Sequence, residues 1–398
     1  MTNFINDNSE FICRDMNEMA QFLEARESGS IWYTDETNTK ATDIRFKPIF
    51  TEPLCVPAEV KNLQSAAYPK FSASEDAYKD SMDCPDMGCC GTTQLMTVNG
   101  TLWPVGSSAV RSVLERAGIK PEGWEKLKKF NPASLSEALN LFLEATKGNV
   151  CVLIQDEKVR AVNSGRYAIC PSTYVMDATK KWIADERPKA KFMSGYVNHD
   201  FTNWNVDLSA YTNEILGKFP ALATSGFAPA LQIYLSHTGA SSVSLKPCLM
   251  RNGLVIPMSE GIDCPHIKKG TASERTLLMQ RAVEENFKLV FQALETAAQN
   301  AEKLDSIQIH NPYNAVLRVM KYIAMPKSQG MEAADQFGKI NPGMATAYEC
   351  FLCLFDAFVY VMRDYPKDQR KQCAVAESIG RAIRLKWTDY DVPGSFSW

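Results

Sequence analysis

The residues best suited to bind an anion lie just before one long predicted helix. Lys268 and Lys269 precede Thr271, where that helix is expected to begin. Free backbone N–H groups and the positive end of the helix dipole attract anions at such a position, and the two lysines add charge. A phosphate group is therefore one predicted ligand of this loop. The alternative is a solvated charged face, since Glu284 and Glu285 follow on the same helix.

Other cations and polar residues are expected to join this loop on one surface. The residues predicted to contact phosphates are Lys246, Arg251, Lys268, Lys269 and Arg275. The residues predicted to line the same face are Arg166, Tyr167, His237 and Asn252. Basic side chains neutralise backbone phosphates, and an aromatic ring can stack on a base. The clustering of charge therefore predicts nucleic-acid binding.

A second basic run follows the last predicted helix. Its members are Arg363, Lys367, Arg370, Lys371, Arg381, Arg384 and Lys386. Asp364, Asp368 and Glu377 dilute this run, so a solvated helix face is favoured over a face that contacts phosphates.

Two groups of cysteines are candidates for binding a metal ion. These are Cys84, Cys89 and Cys90 in one stretch, and Cys248, Cys264 and His266 in another. Structural zinc sites usually draw four ligands from two close pairs, and neither group supplies a second tight pair. The first group is interpreted as loop thiols. For the second, the alternative to a metal site is that His266 hydrogen-bonds within the loop that caps the long helix.

Catalytic motifs are missing from the sequence. It contains no GxSxG, P-loop, HExxH or GxGxxG pattern, and only four histidines. Cys350 and Cys353 have CxxC spacing but lie in an apolar run, so they are interpreted as core thiols. We predict no catalytic residue, no cofactor and no metal, and a non-enzymatic protein is favoured.

Composition narrows the class of protein further. The net charge of −3 over 398 residues excludes a globally basic protein but permits a local basic surface. The first residues show neither a basic region nor an apolar run, so no secretory signal is expected. The most apolar stretch, 350–362, is too short to span a membrane and is predicted to be a buried helix. Twelve cysteines without an export signal predict free thiols in a reducing cytoplasm, including that of a bacterial host.

Local signals predict the elements that would position these residues. Thr271 and Glu274 form a capping box, and apolar residues keep helical spacing from there to about 301. Ser134 and Glu137 form a second capping box ahead of a predicted helix. Further helices are predicted at 16–27, 107–117, 135–147, 172–185, 313–324, 332–337, 344–362 and 367–385. The expected hairpin comprises 150–155 and 158–163, with an edge strand at 166–170, and 65–91 is a candidate linker.

Two stretches resemble a known family. The first stretch resembles a VRAxxSxRY segment and reads Lys158-Val-Arg-Ala-Val-Asn-Ser-Gly-Arg-Tyr167. The second stretch, 236–270, resembles a later part of the same family's pattern, in which a turn is followed by an asparagine–glycine segment and then by a histidine–glycine loop. The family is phage- and plasmid-borne and is known as a domain of unknown function (number 932). The match covers roughly 150–300 and departs from the pattern at Pro247 and Met250. It implies a phage or mobile-element setting and supplies no active site.

The expected fold class is α+β, with an antiparallel sheet packed on a long helix and a helical C-terminal region. The predicted domains are an N-terminal mixed region at 1–106, a central α+β domain at 107–304 and a helical region with an aromatic tail at 305–398. The succession of strands before a long helix is similar to the core of Rad52-like annealing proteins, at the level of fold analogy.

Three functions follow as hypotheses. The first is a nucleic-acid-binding homo-oligomer, specifically one that binds single strands in annealing or recombination. The second is an assembly or host-interaction protein that uses the aromatic tail with Tyr390, Phe396 and Trp398, which is expected to dock on its own chain or on a neighbouring subunit. The third is a metal-dependent enzyme that uses Cys264 and His266. No membrane partner is expected.

Overall fold

The structure is a computed structural model that describes residues 10–37, 39–48, 94–119, 132–145, 148–155, 158–198, 200–239, 242–258, 261–265, 267–396 and 398. The predicted linker at 65–91, the cysteine group at 84–90 and His266 lie outside the described residues.

Strands and helices are mixed along the chain up to the long helix, and helices dominate after it. The strands are β1 (Phe11–Cys13), β2 (Ser30–Tyr33), β3 (Arg45–Pro48), β4 (Gln94–Val98), β5 (Thr101–Pro104), β6 (Val150–Gln155), β7 (Lys158–Ser164), β8 (Lys191–Val197), β9 (Phe201–Asp207), β10 (Ala228–Ser236), β11 (Ser244–Arg251), β12 (Leu254–Pro257), β13 (Ile262–Asp263), β14 (Gln308–Ile309) and β15 (Ala345–Thr346). The helices are α1 (Met16–Ser28), α2 (Ser107–Arg116), α3 (Pro132–Ala145), α4 (Ser172–Glu186), α5 (Thr212–Ile215), α6 (Pro220–Thr224), α7 (Ala272–Glu302), α8 (Pro312–Tyr322), α9 (Lys327–Ile340), α10 (Ala347–Asp364) and α11 (Gln369–Ala382).

The main sheet has the strand order β1-β8-β9-β10-β11-β12, with β13 also paired to β11, and its neighbouring strands are antiparallel. Its two faces differ because successive side chains point to opposite sides of a strand. Leu231 and Leu245 lie on the apolar face, which shares one hydrophobic core with the buried stripe of α7. Gln232, Tyr234 and Lys246 lie on the other face. The predicted α+β class, with an antiparallel sheet packed on a long helix, is confirmed.

The long helix begins where its capping box predicts. The Thr271 hydroxyl accepts a hydrogen bond from the Glu274 N–H, and the Glu274 carboxylate accepts one from the Thr271 N–H at 2.8 Å. The buried stripe includes Met279, Phe287 and Leu294. This end of α7 is therefore fixed by local chemistry as well as by packing.

A second, smaller core lies beside the main sheet. It unites the sheet β3-β4-β5, the strands β6 and β7, and the helices α2 and α3. α2 is tied to β7 by hydrogen bonds from the Ser108 hydroxyl to the Arg160 carbonyl and from the Val162 N–H to the Ser112 hydroxyl. The predicted hairpin of β6 and β7 is confirmed.

Three local expectations differ from the structure. The segment at 166–170 is not an edge strand, because the Tyr167 N–H turns back to the Ser164 carbonyl and the backbone leaves the sheet. α3 begins at Pro132 rather than after Ser134, since proline suits the first turn of a helix. β8 and β9 were not predicted, because both of their faces carry polar and aromatic residues and their alternation is weak.

The C-terminal helices α8, α10 and α11 lie close to their predicted segments, whereas α9 extends beyond the predicted 332–337 at both ends. Cys350 and Cys353 are buried in α10, which confirms their interpretation as core thiols. Among the described residues, no helix combines the length and apolar character that crossing a bilayer requires.

The aromatic tail docks on its own chain. The Phe396 ring lies 4.7 Å from the guanidinium carbon of Arg318 on α8, and a Cβ at Gly330 on α9 would collide with the Trp398 ring. Asp391 accepts hydrogen bonds from the backbone N–H groups of His310 and Asn311, at 2.8 and 2.7 Å. Of the two predicted docking partners, the structure therefore shows the body of the same chain.

Docking of the tail is expected to weaken in acid. Burial alone would raise the pKa of Asp391, but its hydrogen bonds to His310 and Asn311 lower it to about 2. Because the pKa of Asp391 is lowered in the folded protein, its carboxylate stabilises the fold fully when the pH is above the ordinary pKa of 3.8. This stabilisation is lost as the pH falls through about 2. We expect Asp391→Asn to lower the free energy of unfolding near pH 7 by about 1–3 kcal/mol.

Urea unfolding at several pH values tests this prediction. The difference between the wild type and Asp391→Asn should shrink steadily as the pH falls from about 5 to 2. A difference that stays constant over this range would contradict the assigned role of the Asp391 carboxylate.

Candidate anion-binding cleft

A cleft of about 1080 Å³ lies between the polar face of the main sheet, α2 and α11. Among the described residues, seven basic and three acidic side chains line it, an excess of four positive charges. The basic residues are Arg111, Arg116, Arg166, Lys246, Lys268, Arg381 and Arg384. The acidic residues are Glu115, Asp263 and Glu377. The cleft is thus basic although the whole chain carries a net charge of −3.

Helix α2 supplies the first wall. The Arg111 guanidinium binds the Asp200 carboxylate through two hydrogen bonds of 3.0 and 2.9 Å. The Thr238 hydroxyl donates to the same carboxylate at 3.3 Å. Arg111 therefore anchors the smaller core to the main sheet, and Asp200 already compensates its charge.

Arg116, at the end of α2, has a different environment. Its Nη1 donates to the Asn163 carbonyl at 2.9 Å, and the side chain is half-buried. No carboxylate pairs with it among the described residues, and burial lowers the pKa of its guanidinium. It is a partly desolvated cation that lacks a counter-charge within the described chain.

Arg275 holds two loops that border the cleft from within the protein. It is 1% exposed, and its guanidinium binds the Asp35 carboxylate through bonds of 3.0 and 3.1 Å. It also donates to the Gly270 carbonyl at 2.6 Å and the Gly165 carbonyl at 2.9 Å. These bonds hold the loop that carries Arg166 beside the loop that precedes α7. Arg275, predicted to contact phosphate, has its donors engaged inside the protein and lies outside the cleft lining.

Helix α11 supplies the opposite wall. Lys246 forms an ion pair with Glu377 and lies 4.6 Å from the centre of the Tyr234 ring. A Cβ at Gly380 would overlap the Pro257 carbonyl oxygen, so glycine allows α11 to approach the sheet closely. Arg381, one residue on, is exposed and donates to the Ser378 hydroxyl at 2.8 Å.

An aromatic pair supports the loop of Arg166. Tyr167 lines the cleft, and its ring stacks on Trp32 with centroids 5.7 Å apart and planes at 24°. Burial raises the pKa of the Tyr167 phenol, which stays neutral. One face of the Tyr167 ring is thus covered by Trp32.

The structure brings together only part of the predicted site. The predicted residues that line the cleft are Lys246, Lys268, Arg166 and Tyr167. Those outside the lining are Arg251, Lys269, Arg275, His237 and Asn252.

Each outlying residue has a structural reason for its position. Arg251 and Asn252 lie at the far end of β11, where Asn252 is in a turn with φ 52°. Asn252 is six residues from Lys246, which corresponds to about 20 Å along a strand. Arg251 lies over the Phe227 ring. His237 hydrogen-bonds Thr202 through its Nε2 and the Asp200 carbonyl through its N–H. Lys269 is exposed beside Lys268.

Four basic residues of the cleft were not in the predicted site. Arg111 and Arg116 lie on a correctly predicted helix, but no local pattern places that helix beside β10 and β11. Arg381 and Arg384 belong to the second basic run, which was interpreted as a solvated face. Acidic residues dilute this run in the sequence, and only the position of α11 shows which of its arginines line the cleft.

The cysteines of the candidate metal set have other contacts. The Cys248 thiol donates to the Lys246 carbonyl, and the Asn286 amide donates to the Cys264 sulfur at 3.4 Å. Burial raises the pKa of each thiol to about 12. Within the part of the chain that the structure describes, no group of three histidine, cysteine or carboxylate side chains is arranged to hold a metal.

Comparisons of the chain with protein-family models, curated proteins and solved structures found no match. The resemblance over about 150–300 to the phage- and plasmid-borne family therefore stays a prediction.

Proposed function

We propose that this protein binds single-stranded nucleic acid in the basic cleft. The observation that supports the proposal is the excess of positive charge in the cleft. Within the described residues, Arg116, Arg166 and Lys268 line it without a carboxylate partner. Cations that converge without counter-charges repel one another, and a chain of phosphates relieves that repulsion.

The size of the cleft favours a single strand over a duplex. A volume of about 1080 Å³ accommodates one or a few nucleotides. The stacked Tyr167 offers a sequence-tolerant platform of the kind that single-strand binders use.

The cleft residues are expected to contribute unequally. Arg166, Lys268 and Arg381 are exposed and face the ligand directly. Lys246 contributes less, because Glu377 already compensates its charge. Arg111 is similarly committed to Asp200, so its role is to position α2.

Among functions that need such a cleft, the analogy of the strands before α7 to the core of Rad52-like proteins favours annealing or recombination of single strands by a homo-oligomer. The resemblance over 150–300 favours a phage or mobile-element setting. One of the supports for an assembly protein was an aromatic tail able to dock on another subunit, beside the near-neutral net charge and the acidic N-terminal region. That support is weaker because the tail docks on α8 and α9 of its own chain.

Oligonucleotide binding at two salt concentrations, with mass measured in parallel, tests the proposal. We expect the purified full-length protein to bind labelled single strands more tightly than duplexes. With about four phosphate contacts, log Kd should change with log salt with a slope of about 3 between about 50 and 200 mM. No single-strand binding at low salt, or equal binding of a duplex, would refute the proposal.

A further inference from the structure

Arg116 occupies a built position where three elements meet. Its guanidinium reaches the carbonyl of Asn163 at the end of β7, and the Asn163 amide donates to the Thr238 carbonyl beyond β10 at 3.2 Å. Gly239 follows with φ +81, and a Cβ there would lie 2.7 Å from the Asn163 amide nitrogen. Glycine therefore permits the close approach that holds Asn163, and through it Arg116, in place.

The free donors of Arg116 remain to be satisfied. A guanidinium has five N–H donors, and one hydrogen bond to Asn163 is formed among the described residues. A cation that is partly removed from water without a counter-charge is unfavourable unless an anion approaches it. The half-buried Arg116 thus differs from Arg111 on the same helix, whose charge Asp200 compensates.

Two further cations and a hydroxyl line the same cleft. Arg166 lies three residues beyond Asn163, and Arg275 holds its loop beside the loop of Lys268 through the Gly165 and Gly270 carbonyls. The Ser244 hydroxyl also lines the cleft; Ser244 is 5% exposed, and its hydroxyl has no hydrogen-bond partner among the described residues. A buried hydroxyl without a partner is suited to bind a ligand oxygen.

We propose that Arg116 is the inner cation of a subsite for a phosphate monoester, with Arg166 and Lys268 as its outer cations. The ligand is a phosphorylated strand end or a mononucleotide. Recognition of a strand end rests on the proposed function, whereas recognition of a phosphate monoester as such does not. A monoester carries about −1.5 to −2 charges and three acceptor oxygens. A diester carries one charge and continues as chain on both sides, so it fits a half-buried arginine less well.

Oligonucleotides of one sequence with a 5′-phosphate, a 3′-phosphate or hydroxyl ends test the subsite. We expect one phosphorylated end to bind the wild type at least about tenfold more tightly than the hydroxyl-ended strand, the factor expected from one charge-assisted hydrogen bond. Arg116→Gln should abolish this preference, so that the phosphorylated and the hydroxyl-ended strand bind the variant within about threefold of each other. The exposed Arg166→Gln, which is expected to fold normally, should reduce the preference.

Isothermal titration of the wild type with inorganic phosphate and with a mononucleotide separates the two ligand sources. Mononucleotide binding without oligonucleotide binding would support the subsite and refute the proposed function. Salt-sensitive strand binding with no preference for a phosphorylated end would refute the subsite and leave the proposed function standing. A preference that survives in folded Arg116→Gln, or in Arg166→Gln if Arg116→Gln does not fold, would also overturn the subsite.

Discussion

Replacing Arg275 by methionine is expected to lower the free energy of unfolding by about 3–5 kcal/mol, the range for removing one partner of a buried ion pair. Methionine retains much of the aliphatic bulk but leaves the Asp35 carboxylate and the Gly165 and Gly270 carbonyls without their shared donor. The hydrogen bond from Arg275 lowers the pKa of Asp35, so this carboxylate is ionised at neutral pH and its loss of a partner has full effect. Urea unfolding at about pH 7 measures the change.

Arg281→Met is the matched control. Arg281 lies on the same helix two turns on and is exposed, so the substitution should change stability by about 0.5 kcal/mol or less. Similar losses in both variants would show that Arg275 does not organise the loops in the way described.

Replacing Arg166, Lys268 and Arg381 together by glutamine should nearly abolish strand binding. Each exposed phosphate contact contributes about 1 kcal/mol, so their joint loss corresponds to about a hundredfold in Kd. The salt dependence should also fall, by about 0.7 in log–log slope for each lost contact. All three side chains are exposed, so the thermal midpoint should stay close to that of the wild type.

The control for this variant removes the same charge elsewhere. Lys218, Lys288 and Lys303 are exposed and lie outside the cleft lining, so their joint replacement by glutamine gives an equal change in net charge. Equal weakening of binding in both triple variants would mean that the overall charge of the protein, and not the cleft, attracts the strand.

Local features of this fold were predictable because their signals are local. The capping box of Thr271 and Glu274 needs only four residues to define the start of α7, and β6 and β7 are neighbours in the chain. The cleft was not predictable in the same way. It joins α2, β7, β10, β11 and α11, whose proximity depends on strand pairing and packing across the whole chain.

The arginines show most clearly where sequence reasoning stops. Arg275 and Arg166 look equally suited to bind phosphate in the sequence, yet one is buried and the other exposed. The difference arises from Asp35, which is distant in the sequence and reaches only one of them. Nothing in the sequence distinguishes Arg116, because a single arginine at a helix end is ordinary, and only its burial beside Asn163 sets it apart.

The bond between Asp35 and Arg275 joins residues that are 240 positions apart. At about 5–20 residues per second, a ribosome needs about 12–48 s to make the chain between them. During that interval the smaller core can form, but the loop of Arg166 has no anchor and α11 has not been made. The proposed strand binding is therefore expected only after α11 has been made, so a shorter nascent chain would not compete for nucleic acid close to the ribosome.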